Sequence, residues 1–308
     1  MGESMTPEET PLEHVVKVLD VVRTGQEGAH TLFRGDSLYF PTKRIYGGQI
    51  VAQSVMAGSR TVPEGRLPNS VHACFLRTGS IEEEVRVDVE TLRDGRSFSS
   101  RRTDVLQSKG SILTTVLSYQ ESGQHGVRYA DPMPGDLPDP EDLTSAKDLM
   151  RPYAEKSSFA DYYVTQSPFD IRHLGKTVLL GVDKEAVAKD SGRQMVWSRT
   201  DGHLDMSQTM NRALLALECD QIMMEPALRR SGLGITTRGI SFASIDHSMW
   251  WYQDIDLNKW HLFVQDSPVA DHGRSLCVAK VYTRDGALAS VMIQEAMIRV
   301  PQDANNKD

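Results

Sequence analysis

Asp220 is the residue whose type and position most strongly indicate chemistry. It lies in segment 210–228, which has helical periodicity, on the stripe of apolar residues that should face a sheet. A buried carboxylate needs hydrogen-bond partners, and desolvation makes it a stronger base, so Asp220 could act as a general base. Asp220 could equally lie at the edge of this stripe and only hydrogen-bond a neighbouring strand, because the spacing fits both positions.

The two halves of the chain are similar to each other, which indicates a tandem duplication of one α/β unit. In each half a His is followed by Gly-Arg-Ser, by a turn Gly and by Gln-Glu. The matched residues are His72, Gly95-Arg96-Ser97, Gly110 and Gln120-Glu121 in the first half, and His247, Gly273-Arg274-Ser275, Gly286 and Gln294-Glu295 in the second. Each set spans about 50 residues, and the offset between the sets is about 175 residues.

The differences between the two halves predict where the activity lies. The helix predicted over 50–62 in the first half contains no Asp or Glu. Ser244 corresponds to Asn69, whereas Gln294 keeps a counterpart in Gln120. If Asp, Ser and Gln act together, only the second half has the complete set, and the chain carries one site.

His247 lies in the predicted strand 241–252. Strand alternation places Ser244 and Asp246 on one face and His247 on the other. A His suggests acid–base chemistry. However, His72 holds the corresponding place in the half that lacks the Asp and the Ser, which favours a structural role for both histidines. Asp246 is expected to be a hydrogen-bonding or turn residue beside the site.

Four further residues of the predicted helices have structural explanations. Gly47 and Gly48 could present N–H groups to a phosphate or a carbonyl oxygen. Close approach of the helix to a strand is the more common reason for such glycines. Glu218 and Glu225 lie on a second, mostly polar stripe of the helix, and we expect them to be exposed to solvent.

The elements that would position these residues follow one plan in both halves. The first half predicts a helix over 13–23, a short strand after Phe33-Arg34-Gly35, a helix opened by 46–49 and continuing over 50–62, and strands around 70–76, 85–95, 97–110 and 112–120. The second half predicts strands around 169–174 and 194–199, a helix over 210–228, and strands around 241–252, 260–267, 275–286 and 287–299. Each half is therefore expected to be a long helix packed against an antiparallel meander.

These elements divide the chain into two units and a linker. We predict an N-terminal unit over 13–122, a linker over 123–158, and a C-terminal unit over 159–302 that carries the active site. The linker is rich in Pro, Gly and Asp and should contain a short helix near its end. Residues 1–12 are expected to be disordered.

Composition narrows the class of protein. The 308 residues suffice for about two domains, and a net charge of −8 argues against nucleic acid or an anionic membrane as the main partner. A small anionic ligand would need a local cluster of Arg. Cys74, Cys219 and Cys277 are odd in number and lie in apolar segments, so we expect reduced core residues in an intracellular protein.

Several common motifs are missing from the sequence. No run of about 18 apolar residues predicts a membrane span. The acidic start MGESMTPEETP is unlike a signal or transit peptide, its Met-Gly only weakly resembles a myristoylation site, and the final Asn-Lys-Asp is not the peroxisomal Ser-Lys-Leu. There is no Gly-x-Ser-x-Gly, no His-Glu-x-x-His, no Walker lysine motif and no Cys/His set with metal-ligand spacing. We therefore expect neither a metal nor a cofactor.

Several stretches between residues 30 and 300 together resemble the acyl-CoA thioesterase II (TesB-like) family, including its peroxisomal members. The stretches are Leu32-Phe33-Arg34-Gly35, Tyr46-Gly47-Gly48-Gln49-Ile50-Val51, Phe75-Leu76-Arg77, Glu90-Thr91-Leu92-Arg93-Asp94-Gly95, Asp246-His247-Ser248-Met249-Trp250 and Gln294-Glu295. The Asp-His-Ser-Met-Trp block is the most specific of them. The missing Ser-Lys-Leu departs from the peroxisomal members and leaves a cytoplasmic or a peroxisomal location open.

The resemblance implies an α+β double hotdog, two tandem units that each wrap an antiparallel sheet around a long helix. It also implies hydrolysis of fatty acyl-CoA to free acid and CoA, without a covalent intermediate or a metal. The family arranges an Asp, a Thr or Ser, and a Gln around the attacking water. By motif these residues are Asp220, Ser244 and Gln294 of the second unit.

The resemblance also implies partners. Fatty acyl-CoA is the expected substrate, and the chain is expected to form a homo-oligomer. Arg residues near the mouth of the site could contact the CoA phosphates, and Arg229, Arg230 and Arg274 are candidates, although exposed arginines usually serve solubility.

Two other functions remain open from the sequence. One is a hotdog enoyl-CoA hydratase, in which Asp246 and His247 would have to supply the acid–base pair. The other is a non-catalytic acyl-CoA-binding protein that has kept the pocket.

Overall fold

The computed structural model describes residues 5–6 and 9–300. The expectations for the first four residues, for residues 7–8 and for 301–308 lie outside this range. The prediction that residues 1–12 are disordered is wrong for Pro11 and Leu12, because helix α1 begins at Pro11. Thr10 and Glu13 form a reciprocal capping box there, and Leu12 is buried in the core.

The chain forms seven α-helices and twelve β-strands within the described residues. The helices are α1 (Pro11–Leu19), α2 (Gly47–Ser59), α3 (Ala146–Met150), α4 (Ser158–Gln166), α5 (Lys184–Ala188), α6 (Gln208–Ile222) and α7 (Glu225–Arg230). The first six strands are β1 (Val22–Glu27), β2 (His30–Gly35), β3 (Arg66–Phe75), β4 (Val85–Asp94), β5 (Phe98–Gln107) and β6 (Gly110–Glu121). The other six are β7 (Phe169–His173), β8 (Gln194–Thr200), β9 (Ser241–Trp251), β10 (His261–Asp271), β11 (Arg274–Thr283) and β12 (Leu288–Arg299).

All twelve strands belong to one antiparallel sheet. Their order is β1-β2-β4-β5-β6-β3-β9-β12-β11-β10-β8-β7, so the second unit repeats the order of the first in reverse across the β3–β9 junction. At this junction Ser70 to Cys74 pair with Trp250 to Asp246. The two units are therefore related by an approximate twofold axis, as the sequence duplication predicts.

The two long helices, α2 and α6, pack against each other on the inner face of the sheet. Most of α6 is buried, because α1, α2 and strand β3 also contact it. The helix predicted over 210–228 is in fact divided into α6 and α7. Pro226 stands in the first turn of α7, where its missing N–H costs nothing, whereas the interior of a continuous helix would not accommodate it.

The remaining differences from the predicted elements are local. Phe33-Arg34-Gly35 forms the end of β2 and does not precede it. In the linker, 3₁₀ turns flank α3, and α4 follows them, so this region carries more helix than its composition suggests. Cys219 and Cys277 are free and buried, but Cys74 is exposed.

The fold is the predicted α+β double hotdog, with one long helix of each unit packed against the shared sheet. No helix among residues 5–6 and 9–300 is both long and apolar enough to cross a membrane.

Candidate active site

Asp220 lies in the last turn of α6 and is the centre of the candidate site. Its Oδ2 accepts a hydrogen bond of 2.8 Å from the backbone N–H of Gly48, at the N-terminus of α2. Its Oδ1 accepts hydrogen bonds from the Ser244 hydroxyl at 3.3 Å and from Gln294 Nε2 at 2.9 Å. The carboxylate is only partly buried. It is therefore anchored by a helix N-terminus on one oxygen and by two side chains of the sheet on the other.

Ser244 and Gln294 come from neighbouring strands, and Gln294 Nε2 also donates to Ser244 Oγ at 2.8 Å. Ser244 pairs with Ala296 on β12, two residues from Gln294. The predicted alternation of β9 is wrong at this point, because a β-bulge at Ile245 brings Ser244 to the same face as His247. The bulge is thus what directs the Ser244 hydroxyl towards Asp220.

Gly47 and Gly48 allow α2 to approach α6 closely. A Cβ on Gly48 would lie 2.7 Å from the Leu217 carbonyl oxygen, and a Cβ on Gly47 would lie 2.9 Å from Asp220 Oδ2. Tyr46, the residue before the helix, donates its hydroxyl to the same Leu217 oxygen at 2.9 Å. Gly48 is thus close to a second helix, whereas Gly47 is close both to that helix and to Phe75 of strand β3, as the expected helix–strand approach requires. Sequence reasoning missed the Tyr46 contact, which no local motif signals.

His247 lies on the inner face of the sheet and is 1% exposed. Its Nδ1 is 2.9 Å from Gln294 Oε1, and its Nε2 has no hydrogen-bond partner among the described residues. Burial lowers the pKa of His247, while the Asp220 carboxylate acts in the opposite direction. The imidazole is therefore neutral near neutral pH and contacts the amide, not the carboxylate.

The correspondence between the two halves differs from the predicted one by one residue in β3 and by three residues in β6. The bulge in β3 falls at Asn69, as that in β9 falls at Ile245. Aligning the two bulges makes Val71 the counterpart of His247 and Leu117, which pairs with Val71, the counterpart of Gln294.

The predicted counterparts His72 and Gln120 therefore lie on the outer face of the sheet. His72 is exposed and contacts the Ser248 hydroxyl at 3.1 Å and the Trp250 ring. The alternate residues Leu113, Thr115, Leu117 and Tyr119 of β6 are buried, and Gln120 points to the opposite face. His72 is therefore not equivalent to His247, and the structural role predicted for His247 from that equivalence has no basis.

Glu218 and Glu225 are buried, which contradicts the predicted solvent exposure. Glu218 is 0% exposed and lies 2.8 Å from His261 Nε2, and Glu225 is 3% exposed and lies 3.0 Å from His173 Nε2. Gln194 donates a further hydrogen bond of 2.8 Å to Glu225. Glu218 of α6 therefore has its partner on β10, and Glu225 of α7 has partners on β7 and β8, which helical periodicity alone cannot reveal.

The three candidate arginines are already paired with carboxylates. Arg229 is 9% exposed and donates to Asp183 at 2.9 Å, which is an internal ion pair. Arg230 binds both oxygens of Asp190 at 3.0 and 3.1 Å and lines a cavity of about 380 Å³.

Arg274 is partly exposed and donates to Glu295 at 2.7 Å. None of the three arginines contacts Asp220, Ser244 or Gln294 in the described hydrogen bonds and ion pairs. A CoA-binding role for Arg230 and Arg274 stays a prediction, and the burial of Arg229 favours a structural one.

Asp246 and His247 do not form an acid–base pair. Asp246 is partly exposed and pairs with Cys74 and Glu295 on the adjacent strands, whereas His247 points to the inner face. Adjacent residues of a strand point to opposite faces, so the pair required for the hydratase alternative is not assembled.

The site thus combines a carboxylate, a hydroxyl and a carboxamide, and among residues 5–6 and 9–300 neither a Cys nor a Lys is hydrogen-bonded to any of the three. Such a group can orient a water molecule and accept a proton from it. Within the described part of the chain, no group of three or more His, Cys, Asp or Glu side chains is arranged to hold a metal ion.

Comparison with known proteins agrees with this fold. Residues 37–120 match the family model of the acyl-CoA thioesterase N-terminal domain, and residues 136–298 match that of the C-terminal domain. The chain belongs to the acyl-CoA thioesterase family, which comprises thioester hydrolases. The family predicted from the sequence motifs is thereby confirmed.

Individual relatives cover almost the whole chain. Acyl-CoA thioesterase 2 of Haemophilus influenzae is 32% identical over 87% of this chain and 92% of its own. Human acyl-coenzyme A thioesterase 8 is 28% identical over 90% of this chain and 87% of its own. The solved structure of a tesB protein from Mycobacterium avium subspecies paratuberculosis has a TM-score of 0.74 and 27% identity, covering 94% of this chain and 100% of its own.

Proposed function

We propose that this protein hydrolyses fatty acyl-CoA to a free fatty acid and CoA by direct attack of water, at one site in its C-terminal unit. The observation that carries the proposal is the convergence of Asp220, Ser244 and Gln294, which come from three elements and contact one another within 3.3 Å. The names of its relatives, acyl-CoA thioesterase 2 and acyl-coenzyme A thioesterase 8, support the substrate class.

Asp220 is the proposed general base. Its Oδ1 faces Ser244 and Gln294, so a water held by these groups can transfer a proton to the carboxylate while its oxygen attacks the thioester carbonyl carbon. The carbon–sulfur bond of the tetrahedral intermediate then breaks, and the CoA sulfur leaves as a thiolate or takes the proton back from Asp220. Ser244 and Gln294 contribute by orienting the water.

The N-terminus of α2 is the proposed donor to the oxyanion. Gly48 N–H is already engaged by Asp220, but Gly47 N–H has no hydrogen-bond partner among the described residues. Both N–H groups lie at the positive end of the helix dipole, where negative charge is stabilised. A carbonyl oxygen that approaches Gly47 would therefore meet a donor adjacent to the base.

The proposal is tested by measuring CoA release from saturated acyl-CoA substrates of short to long chain in ¹⁸O-labelled water. We expect CoA release, one labelled oxygen in the acid product, and no acyl adduct of the protein in its intact mass. Tight acyl-CoA binding without release would instead indicate a binding protein, and water addition to an enoyl-CoA without release would indicate a hydratase. Either result would overturn the proposal.

A further inference from the structure

Gln294 can serve Asp220 and Ser244 in only one of its two amide orientations. Its Nε2 group lies 2.9 Å from Asp220 Oδ1 and 2.8 Å from Ser244 Oγ, and a carboxylate oxygen can only accept. A flipped amide would direct Oε1 at the carboxylate, and both the hydrogen bond and the electrostatic attraction would be lost. A donor at the opposite end of the amide would add to this preference and fix the productive orientation.

His247 is the group that contacts the opposite end of the amide. Its Nδ1 lies 2.9 Å from Gln294 Oε1, and the two residues are directly paired across β9 and β12. Because Oε1 can only accept, the proton of the neutral imidazole must be on Nδ1. We propose that His247 is a positioning residue, whose Nδ1–H locks the Gln294 amide with Nε2 towards Asp220 and Ser244. This inference rests on the proposed hydrolysis, because the water is what Gln294 orients.

The environment of His247 supports a neutral Nδ1–H tautomer. The side chain is 1% exposed, and burial lowers its pKa. The Gln294 amide contacts the imidazole directly, and the charges of Asp220 and of Asp246, which points to the opposite face of β9, act on it from a distance. Its Nε2 has no partner within the described residues, so only the Nδ1 contact fixes the ring.

The fold itself does not require a polar pair at this position. The corresponding pair in the N-terminal unit is Val71 opposite Leu117, both 0% exposed. An aliphatic pair thus fits between the equivalent strands, on the same face of the sheet and against the packed helices. The His and the Gln occur together in the unit that has the Asp and are absent together from the unit that lacks it, as expected if they act together.

The test compares His247→Leu with His247→Asn, each made in the wild-type and in the Gln294→Leu background. Asn carries its amide nitrogen at the same number of bonds from the backbone as the Nδ1 of His, so it can still donate to Gln294, whereas Leu cannot. We expect His247→Leu to lower kcat about tenfold or more with KM changed less than about twofold, and His247→Asn to retain most of the activity. In the Gln294→Leu background, replacing His247 should change kcat less than about twofold.

A merely structural His247 would behave differently. It would lower the melting temperature, Asn would not rescue kcat, and the same loss would appear in both backgrounds. Any of three results would overturn the inference. They are an unchanged kcat in His247→Leu, a kcat of His247→Asn as low as that of His247→Leu, or a loss of kcat on replacing His247 that is as large in the Gln294→Leu background as in the wild type. The double variant His247→Val with Gln294→Leu recreates the Val71–Leu117 pair, so a folded reference is expected even if a single variant is unstable.

A second measurement does not depend on turnover. The ¹⁵N chemical shifts of the imidazole should identify an Nδ1–H tautomer of His247 in the wild type, and Gln294→Leu should remove this preference. An Nε2–H tautomer in the wild type would overturn the inference even if the enzyme is active. Conversely, an Nδ1–H tautomer in a protein that releases no CoA would uphold the positioning and overturn only the proposed function.

Discussion

Each unit has a pair of facing residues at the equivalent position of its equivalent strands, but the residue types of the two pairs differ. In the N-terminal unit the pair is Val71 and Leu117, and in the C-terminal unit it is His247 and Gln294. All four side chains are buried. Burial of a polar pair is costly unless every group finds a partner, so the aliphatic pair is the simpler solution for packing. The polar pair is therefore best explained by what Gln294 contacts, namely Asp220 and Ser244.

The two ends of the α2–α6 helix pair differ in the same way. At one end Asp220 accepts hydrogen bonds from the Gly48 N–H, the Ser244 hydroxyl and Gln294 Nε2. At the other end α6 begins, and Arg212 donates to the Pro68 carbonyl at 2.7 Å and to Asp254 at 3.0 Å.

Pro68 stands where the first unit would need the counterpart of Ser244. A cavity of about 490 Å³ opens at this second end, lined in part by Asn69, Gln120 and Arg212. At this end a proline stands in place of the hydroxyl, and the cation Arg212 lies beside the cavity.

After the loss of Asp220 itself, the largest expected effect is that of Gln294→Leu. It removes the donor to both Asp220 and Ser244, so kcat should fall on the order of 10²-fold in a CoA-release assay. Gln120→Leu, on the outer face of the first unit, is the matched control and should leave kcat within about twofold. A large loss in Gln120→Leu would mean that both units contribute.

Gly48→Ala tests the close approach of the two helices. Its Cβ would lie 2.7 Å from the Leu217 carbonyl oxygen and 3.0 Å from Asp220 Cβ, so α2 must move away from α6. We expect a loss of about 2 kcal/mol in the free energy of unfolding, measured with urea, and lower activity. Gly126→Ala is the control, because nothing lies within 4 Å of its added Cβ. Equal stabilities of the two variants would rule out the packing role of Gly48.

Ser244→Ala should have a smaller effect, because Asp220 keeps its contacts with Gln294 and Gly48. We expect kcat to fall about tenfold with little change in the melting temperature. Ser248→Ala, on the outer face of the same strand, should leave kcat unchanged. Equal kcat values for the two alanine variants would remove Ser244 from the mechanism.

The smallest expected effect is the pH dependence of stability due to His247. Burial lowers its pKa in the folded state below the value of about 6.5 in the unfolded state, so the unfolded state binds more protons as the pH falls. The neutral imidazole of His247 contributes fully to the free energy of unfolding above about pH 6.5. This contribution is lost as the pH falls below that value, by at most about 1.4 kcal/mol per pH unit. His247→Asn should flatten the profile of unfolding free energy between pH 7.5 and 5. An unchanged profile would contradict the buried neutral imidazole.

Sequence reasoning predicted the fold and three candidate residues that the structure brings together, but it failed where tertiary contacts decide. The resemblance assigned Asp220, Ser244 and Gln294, and the structure brings these side chains together. Strict alternation failed in β9, because a bulge at Ile245 inserts a residue that no composition rule signals.

The two halves were matched out of register, by one residue at His72 and by three at Gln120, because strand pairing fixes the correspondence and short sequence motifs do not. Glu218 was expected in solvent because it is charged, but His261, which lies far along the chain, provides a buried partner. The break before α7, in contrast, could have been predicted from Pro226.

The most direct test of the central claim, that one carboxylate in the C-terminal unit activates water, is the kcat of Asp220→Asn for CoA release. Asn keeps the size of the side chain and can still accept from Gly48 N–H, so the melting temperature should stay near that of the wild type. We predict a fall in kcat of about 10²- to 10⁴-fold. A folded Asp220→Asn protein that turns over at the wild-type rate would contradict the claim.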